Sequence, residues 1–227
     1  ILGGGLPLVG DVSPDISPSL LLERFGSLQA NNLDDCAEAG WHRLDLYPWS
    51  VLWHVSPDGW IHMPGHGHQD LGSFEIHCDD EPVFIDPGRG AYGETGDAAL
   101  YRSGTVHNTL MIDDHDPAPP NRPYYDPSFR EHICGSSPRI EKSKDMFRLS
   151  YSGFSRLNQV GDVTRTWSFS SSEMALEDRV EGRGMRNMSR TFVTPLEVKP
   201  VNGGVLIKGK SREYLLISPT SAHCIYL

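Results

Sequence analysis

The sequence lacks any apolar run near the roughly 18 residues that a membrane-spanning helix needs, although 38% of its 227 residues are hydrophobic. It therefore reads as a soluble globular chain with apolar content enough for a sizeable core. Basic clusters are missing too: 20 Lys and Arg stand against 30 Asp and Glu, for a formal charge of −10. Phosphate backbones and anionic lipid surfaces are poor partners for such a chain, so no nucleic acid and no membrane is expected. Cysteine is sparse. Cys36, Cys78, Cys134 and Cys224 lie far apart and match no C-x-x-C metal or redox pattern, which leaves free thiols as the reading. The first residues, ILGGGLPLVG, hold neither an initiator Met nor the basic start of a signal peptide, so the chain reads as an excised or processed piece.

Helix signals are nearly absent as well. One stretch, SPSLLLERFGSLQA, joins a Ser-Pro start to a leucine-rich face and predicts a helix from Ser19 to about Ala30. From Pro48 onward the pattern is of short alternating runs: WSVLWHVS, GWIHM, GSFEIHC, PVFIDPG, NTLMIDD, MFRLSYSGF, VTRTWSFS, MALEDRVEG, RTFVTPLEV, GVLIKG and REYLLIS. Turn signals such as PDG, DDEP and NGG separate them. About eleven strands at such spacing predict a mainly β fold, a two-layer antiparallel β-sandwich preceded by a short helical segment. Residues 1–47 are then helix and linker, and 48–227 the sandwich. A proline-rich polar stretch, DDHDPAPPNRPYYDPSFREHICGSSP, interrupts the β pattern after Asp113. Its Arg122, Tyr124, Tyr125 and Arg130 suit either a ligand-facing flap or a plain surface excursion.

What the sequence has in quantity is titratable chemistry beside glycine, in GHGHQDLGSFEIHCDDEPVFIDPG from Gly65 to Gly88. Glycine lets the backbone approach a ligand and adopt positive φ, so the segment suits the presentation of imidazoles. His68, Asp86 in its DPG turn and His107 in SGTVHNT form a nitrogen and oxygen donor set that suits zinc. Spacing alone leaves open the reading of all three as hydrogen-bonding residues at strand ends and turns. His66, flanked by glycines, suits general acid or base work, or is an exposed loop histidine. The arginines Arg89, Arg102, Arg122 and Arg130 crowd the middle third of the chain and could gather around one anionic ligand despite the acidic total.

GHGHQDLGSFEIHCDDEPVFIDPGRGAYG followed by YRSGTVHNTLMIDDHD resembles the core signature of the heparinase II/III-like polysaccharide lyases: H-x-H-x-D, SFE, a DPG turn with a tyrosine, then R-S-x-x-x-H-N-T. The match runs from Trp53 to about Asp116. PLVGDVSPDISPS resembles the segment that joins that family's helical domain to its β domain, and TFVTPLEV a late strand. Two departures are Gln69-Asp70-Leu71-Gly72, where small residues are common, and Asp116, where Gln is common.

The resemblance implies an N-terminal (α/α) toroid as partner domain, a C-terminal antiparallel β-sandwich, and cleavage of uronic-acid polysaccharides by β-elimination. It implies a structural zinc on His68, Asp86 and His107, with His132 in reserve as the third histidine. It makes His66 the sandwich-borne catalytic histidine and Tyr92 the tyrosine, with Tyr101 as the weaker alternative; Arg89 and Arg102 would meet the acidic polysaccharide. The carboxylate-neutralising side chain and the principal tyrosine would come from the toroid, so this chain alone is expected to be inactive. A periplasmic or secreted location is expected. Two other classes compete: a non-catalytic carbohydrate-binding or structural sandwich with Trp41, Trp49, Trp53 and Trp60 as sugar platforms, and a metal-dependent hydrolase with Asp70 or Glu75 as base.

Overall fold

Alternation decides the layers. In a computed structural model, which describes residues 7–10, 20, 23, 37–56, 67–93, 95–118 and 137–218, strands β1 (Trp41–Leu46), β2 (Trp49–His54), β3 (Ser73–Cys78) and β4 (Glu81–Phe84) form one antiparallel sheet in that order. Strand β5 (Leu110–Ile112) follows a short helix α1 (Asp97–Arg102) and a 3-10 turn (Gly104–Val106). Strands β6 (Arg139–Lys142), β7 (Met146–Tyr151), β8 (Val160–Phe169) and β9 (Met174–Gly182) make the second four-stranded sheet. Strand β10 (Met188–Arg190) pairs with β5, and β11 (Glu197–Val201), β12 (Gly204–Lys208) and β13 (Glu213–Ile217) form a three-stranded sheet.

Period-two burial brings Phe147, Leu149 and Tyr151 of β7 and Val163, Trp167 and Phe169 of β8 to the inner face. They meet Val51 and Trp53 of β2 and Phe74 and Ile76 of β3 in one continuous core. Trp53 stacks on Phe147 with ring centroids 4.2 Å apart at 17°, and meets Trp167 edge-on at 5.7 Å and 71°. Offset-stacked and edge-to-face rings add about 0.5–1.5 kcal/mol each beyond the burial of their area. The predicted antiparallel sandwich is therefore what forms.

Several details differ from the sequence reading. Strand β1 falls inside the stretch assigned to the linker and pairs along its whole length with β2, Trp41 opposite His54 and Leu46 opposite Trp49. The β region thus begins at Trp41 instead of after Tyr47. RTFVTPLEV is not one strand: residues 191–196 are irregular and only Glu197 onward pairs. Pro195, which has no N–H to donate, lies in the irregular part. Phe192 there nonetheless packs on Phe84, with centroids 5.3 Å apart. Helix α1 and strands β6 and β10 were not foreseen. The predicted helix from Ser19 to Ala30 lies outside the described residues apart from Leu20 and Glu23, as do GWIHM and residues 119–136.

Candidate metal centre and active-site face

The H-N-T motif is scaffold before it is chemistry. Asn108 is wholly buried. Its Nδ2 donates to the carbonyls of Phe74 at 2.8 Å and Ile85 at 2.9 Å, and its Oδ1 accepts from Val193 N at 2.7 Å. One side chain so ties β3, the turn after β4 and the segment before β11 together. Thr109 Oγ1 donates to Leu71 O at 2.7 Å, and the Asn108 amide donates to Ser73 Oγ at 3.2 Å. Ser73 passes the chain of bonds on by donating to Asp86 Oδ2 at 2.7 Å. Leaving any of these groups unpaired in the core would cost about 1–3 kcal/mol, so they fix where His107 and Asp86 can stand.

His107 and Asp86 are both fully buried, with His107 Nδ1 2.9 Å from Asp86 Oδ2 and 3.1 Å from Oδ1. Asp86 Oδ1 also accepts the Gly88 amide at 3.0 Å, within the DPG turn. On the far side of the ring, Nε2 donates to Tyr101 O at 2.8 Å. As a proton-linked pair, His107 is opposed by burial but held charged by Asp86, and its pKa is raised to about 9. A carbonyl that holds Nε2–H also fixes the tautomer whose Nδ1 can ligate a cation beside Asp86. These donors suit zinc in kind. His68, also buried, is adjacent, its ring centroid 5.4 Å from that of His107. Among the described residues no group of three or more such side chains converges as a metal cage. The structure thus pairs two of the three expected donors and sets the third beside them; His132 lies outside the described residues.

A second buried pair was missed at the sequence level. His54, on β2, brings Nδ1 to 3.3 Å from Asp70 Oδ1, close enough for an ion pair. Beyond His54, neither Asp70 oxygen meets a hydrogen-bond donor among the described residues. Burial works against the Asp70 charge, but His54 beside it prevails, so the carboxyl lies below its ordinary range. His54 is likewise opposed by burial and raised by Asp70. The H-x-H-x-D spacing was the available signal for Asp70. Nothing in the sequence pointed to His54, because the pairing of β2 with β3 that sets it opposite Ser73 is long-range.

Of the remaining candidates, Tyr92 is exposed and Arg89 and Arg102 are half-buried. Tyr92 is 72% exposed, and the Arg89 guanidinium carbon sits 3.7 Å over its ring centroid, a cation–π contact. Arg102 ends α1 on a separate element, and its carbonyl accepts the Gln69 amide at 2.9 Å. Tyr101 works through its backbone: its carbonyl holds His107, while a Cβ on Gly90 would meet its ring at 2.4 Å. His66 lies outside the described residues. Of the proposed sugar platforms, Trp53 and Trp49 are buried in the core, Trp41 is half-buried, and Trp60 is outside the described residues.

The family described as Heparinase II/III-like, C-terminal, matches residues 29–220. The chain belongs to that family. Solved structures share the fold: heparan sulfate lyase HepC from Pedobacter heparinus at TM-score 0.60 and 17% identity, with 91% of this chain and 35% of that one covered. A heparinase III with methylated lysines gives TM-score 0.55 and 16% identity over 76% of this chain and 26% of its own. Another heparinase III gives 0.51 and 19% over 76% and 27%. The chain thus spans about a quarter to a third of the solved proteins it resembles. No curated protein sequence matches it. Among the described residues no helix is long and apolar enough to cross a membrane.

Proposed function

We propose that the chain is the C-terminal domain of a polysaccharide lyase that cleaves uronic-acid-containing polysaccharide by β-elimination. The observation that carries this beyond family membership is the exposed Tyr92 under Arg89, in the stretch just after the turn whose Asp86 is anchored to buried His107. Elimination removes the C5 proton of a uronate, which becomes acidic enough only when the adjacent carboxylate charge is neutralised. A base then takes that proton, and an acid protonates the departing C4 oxygen as the C4–C5 double bond forms. Tyr92 and His66 are the residues for this proton traffic, and Arg89 and Arg102 carry the positive charge for the sugar acids. Zinc would be held by His68, Asp86 and His107, and it would supply rigidity to the loops that aim His66. Carboxylate neutralisation and the principal tyrosine are assigned to an N-terminal helical toroid partner. A polysaccharide substrate implies a periplasmic or secreted setting. The rival sugar-binding module is disfavoured by the burial of Trp49 and Trp53.

The test is the ultraviolet absorbance of the unsaturated uronate released from heparan, alginate or hyaluronan by the protein joined to its helical domain. Tyr92→Phe and His66→Ala should each lower kcat by roughly 10²–10⁴-fold. Variants that keep the parent rate would remove those residues from the mechanism, and no product from any uronate polymer would remove the lyase assignment.

A further inference from the structure

One residue reaches the candidate centre from the opposite sheet. Arg165 lies within β8 on the face turned into the sandwich, and its side chain is wholly buried. A guanidinium stays charged at any ordinary pH, so its burial calls for matching charge and acceptors; Nε and NH1 have them, while NH2 meets no acceptor among the described residues. Its Nε donates to Asp178 Oδ1 at 2.8 Å, and the other oxygen of that buried carboxylate accepts from Arg190 Nε at 2.5 Å. One carboxylate serves two guanidinium groups, so the triad keeps a net positive charge. That excess is directed at backbone: Arg165 NH1 donates to Gly72 O at 3.1 Å and to Asn108 O at 3.2 Å. Gly72 ends the segment that begins with His68 and precedes Ser73, which hydrogen-bonds Asp86; Asn108 follows His107. A methionine or leucine could fill the same core position, but neither could bind two carbonyls.

We infer that Arg165 is a positioning residue, tying the segment that bears His68 and the segment that bears His107 to a single guanidinium and so fixing their relative placement. The importance of those histidines rests on the proposed function; the tether itself does not. Lysine at this position would keep the charge but lose the planar fork that reaches both carbonyls and Asp178 together.

Amide hydrogen exchange of this chain, followed by NMR with neither substrate nor metal added, tests the tether. The reporters are the amides of Gln69, Gly72, Ser73, Asn108 and Thr109, which lie in the two segments and donate to Arg102 O, His54 O, Asp70 O, Ser73 Oγ and His107 O respectively. The ladder amides of β12 are the reference. In Arg165→Met the reporters should exchange about tenfold or more faster relative to the reference, with partial recovery in Arg165→Lys. Arg190→Met weakens the triad without touching either carbonyl and should keep the parent ratio. Reporters that accelerate only as much as β12, or an Arg190→Met that reproduces the pattern, would make Arg165 a core ion pair and nothing more. If Arg165→Met does not fold, the ratio in Arg165→Lys against Arg190→Met decides. A protein without lyase activity or bound zinc leaves this result intact, and a failed tether leaves the lyase assay intact.

Discussion

Glu75 shows how one residue in a strand can carry a pH dependence that alternation hides. It sits on β3 opposite the aromatic core side, where a carboxylate would ordinarily meet water, yet it is 3% exposed. Residues 7–10 cover that side, and Leu8 N donates to Glu75 Oε1 at 2.7 Å. Burial raises its pKa to about 7 against an ordinary 4.5. The folded state therefore favours the neutral acid: this contribution is full below about pH 4.5 and is lost as pH rises through about 7. We predict that Glu75→Gln gains stability over the parent between about pH 5 and pH 8, by at most about 3 kcal/mol. Urea midpoints of both proteins at the two pH values measure it. His107 also sheds stability as pH rises, between its ordinary 6.5 and about 9. The variant-minus-parent difference cancels that shared slope, and equal slopes in the two proteins would refute the role given to Glu75.

Among the elements, the turn between Asp70 and β3 makes the sharpest demand on residue type. Gly72 has φ of +71°, and a Cβ there would lie 2.8 Å from Leu149 Cδ2. Gly203, in the turn between β11 and β12, has φ of +86° but nothing within 4 Å of a Cβ. Gly203→Ala should therefore cost the backbone strain alone, about 1 kcal/mol, while Gly72→Ala adds overpacking of about 1–3 kcal/mol. Denaturant midpoints at unchanged m separate the two; equal losses would show that Leu149 yields without cost. Elements were legible in the sequence where alternation met turn residues, as in MFRLSY and VTRTWSF, whose apolar positions became the inner face of β7 and β8. They were illegible where that signal is weak. Strand β6, RIEK, has one apolar residue and is largely exposed, β10 has three residues, and α1 is too short to show a helical period. Strand β1 was hidden by its position next to a helix-like stretch. The paired donors Asp86 and His107 were readable from motifs, while His54 and Arg165 were not, because each joins the site only through strand pairing or across the two sheets.

At the scale of the molecule, the sandwich supplies rigid aim more than it supplies chemistry. Its buried bonds converge on holding His107, Asp86 and the DPG turn, and what they present outward is Tyr92 with Arg89. On the proposed reading, two cationic side chains on a chain of formal charge −10 are a weak hold on a polyanion, so the positive or neutralising groups would come from the proposed helical partner. The chain spans 25% to 35% of the length of the solved proteins it resembles. We therefore predict that these 227 residues alone show little or no elimination on heparan, alginate or hyaluronan, while the chain joined to its helical domain is active. Losing a positioned acid or base removes roughly 10²–10⁴-fold, and losing charge stabilisation of the enolate a comparable factor, so the gap should span several orders of magnitude. Unsaturated-uronate absorbance measured on both proteins at equal concentration decides it. Turnover by the isolated chain within tenfold of the longer protein would place the whole catalytic set on the sandwich, and the division of labour between two domains would be wrong.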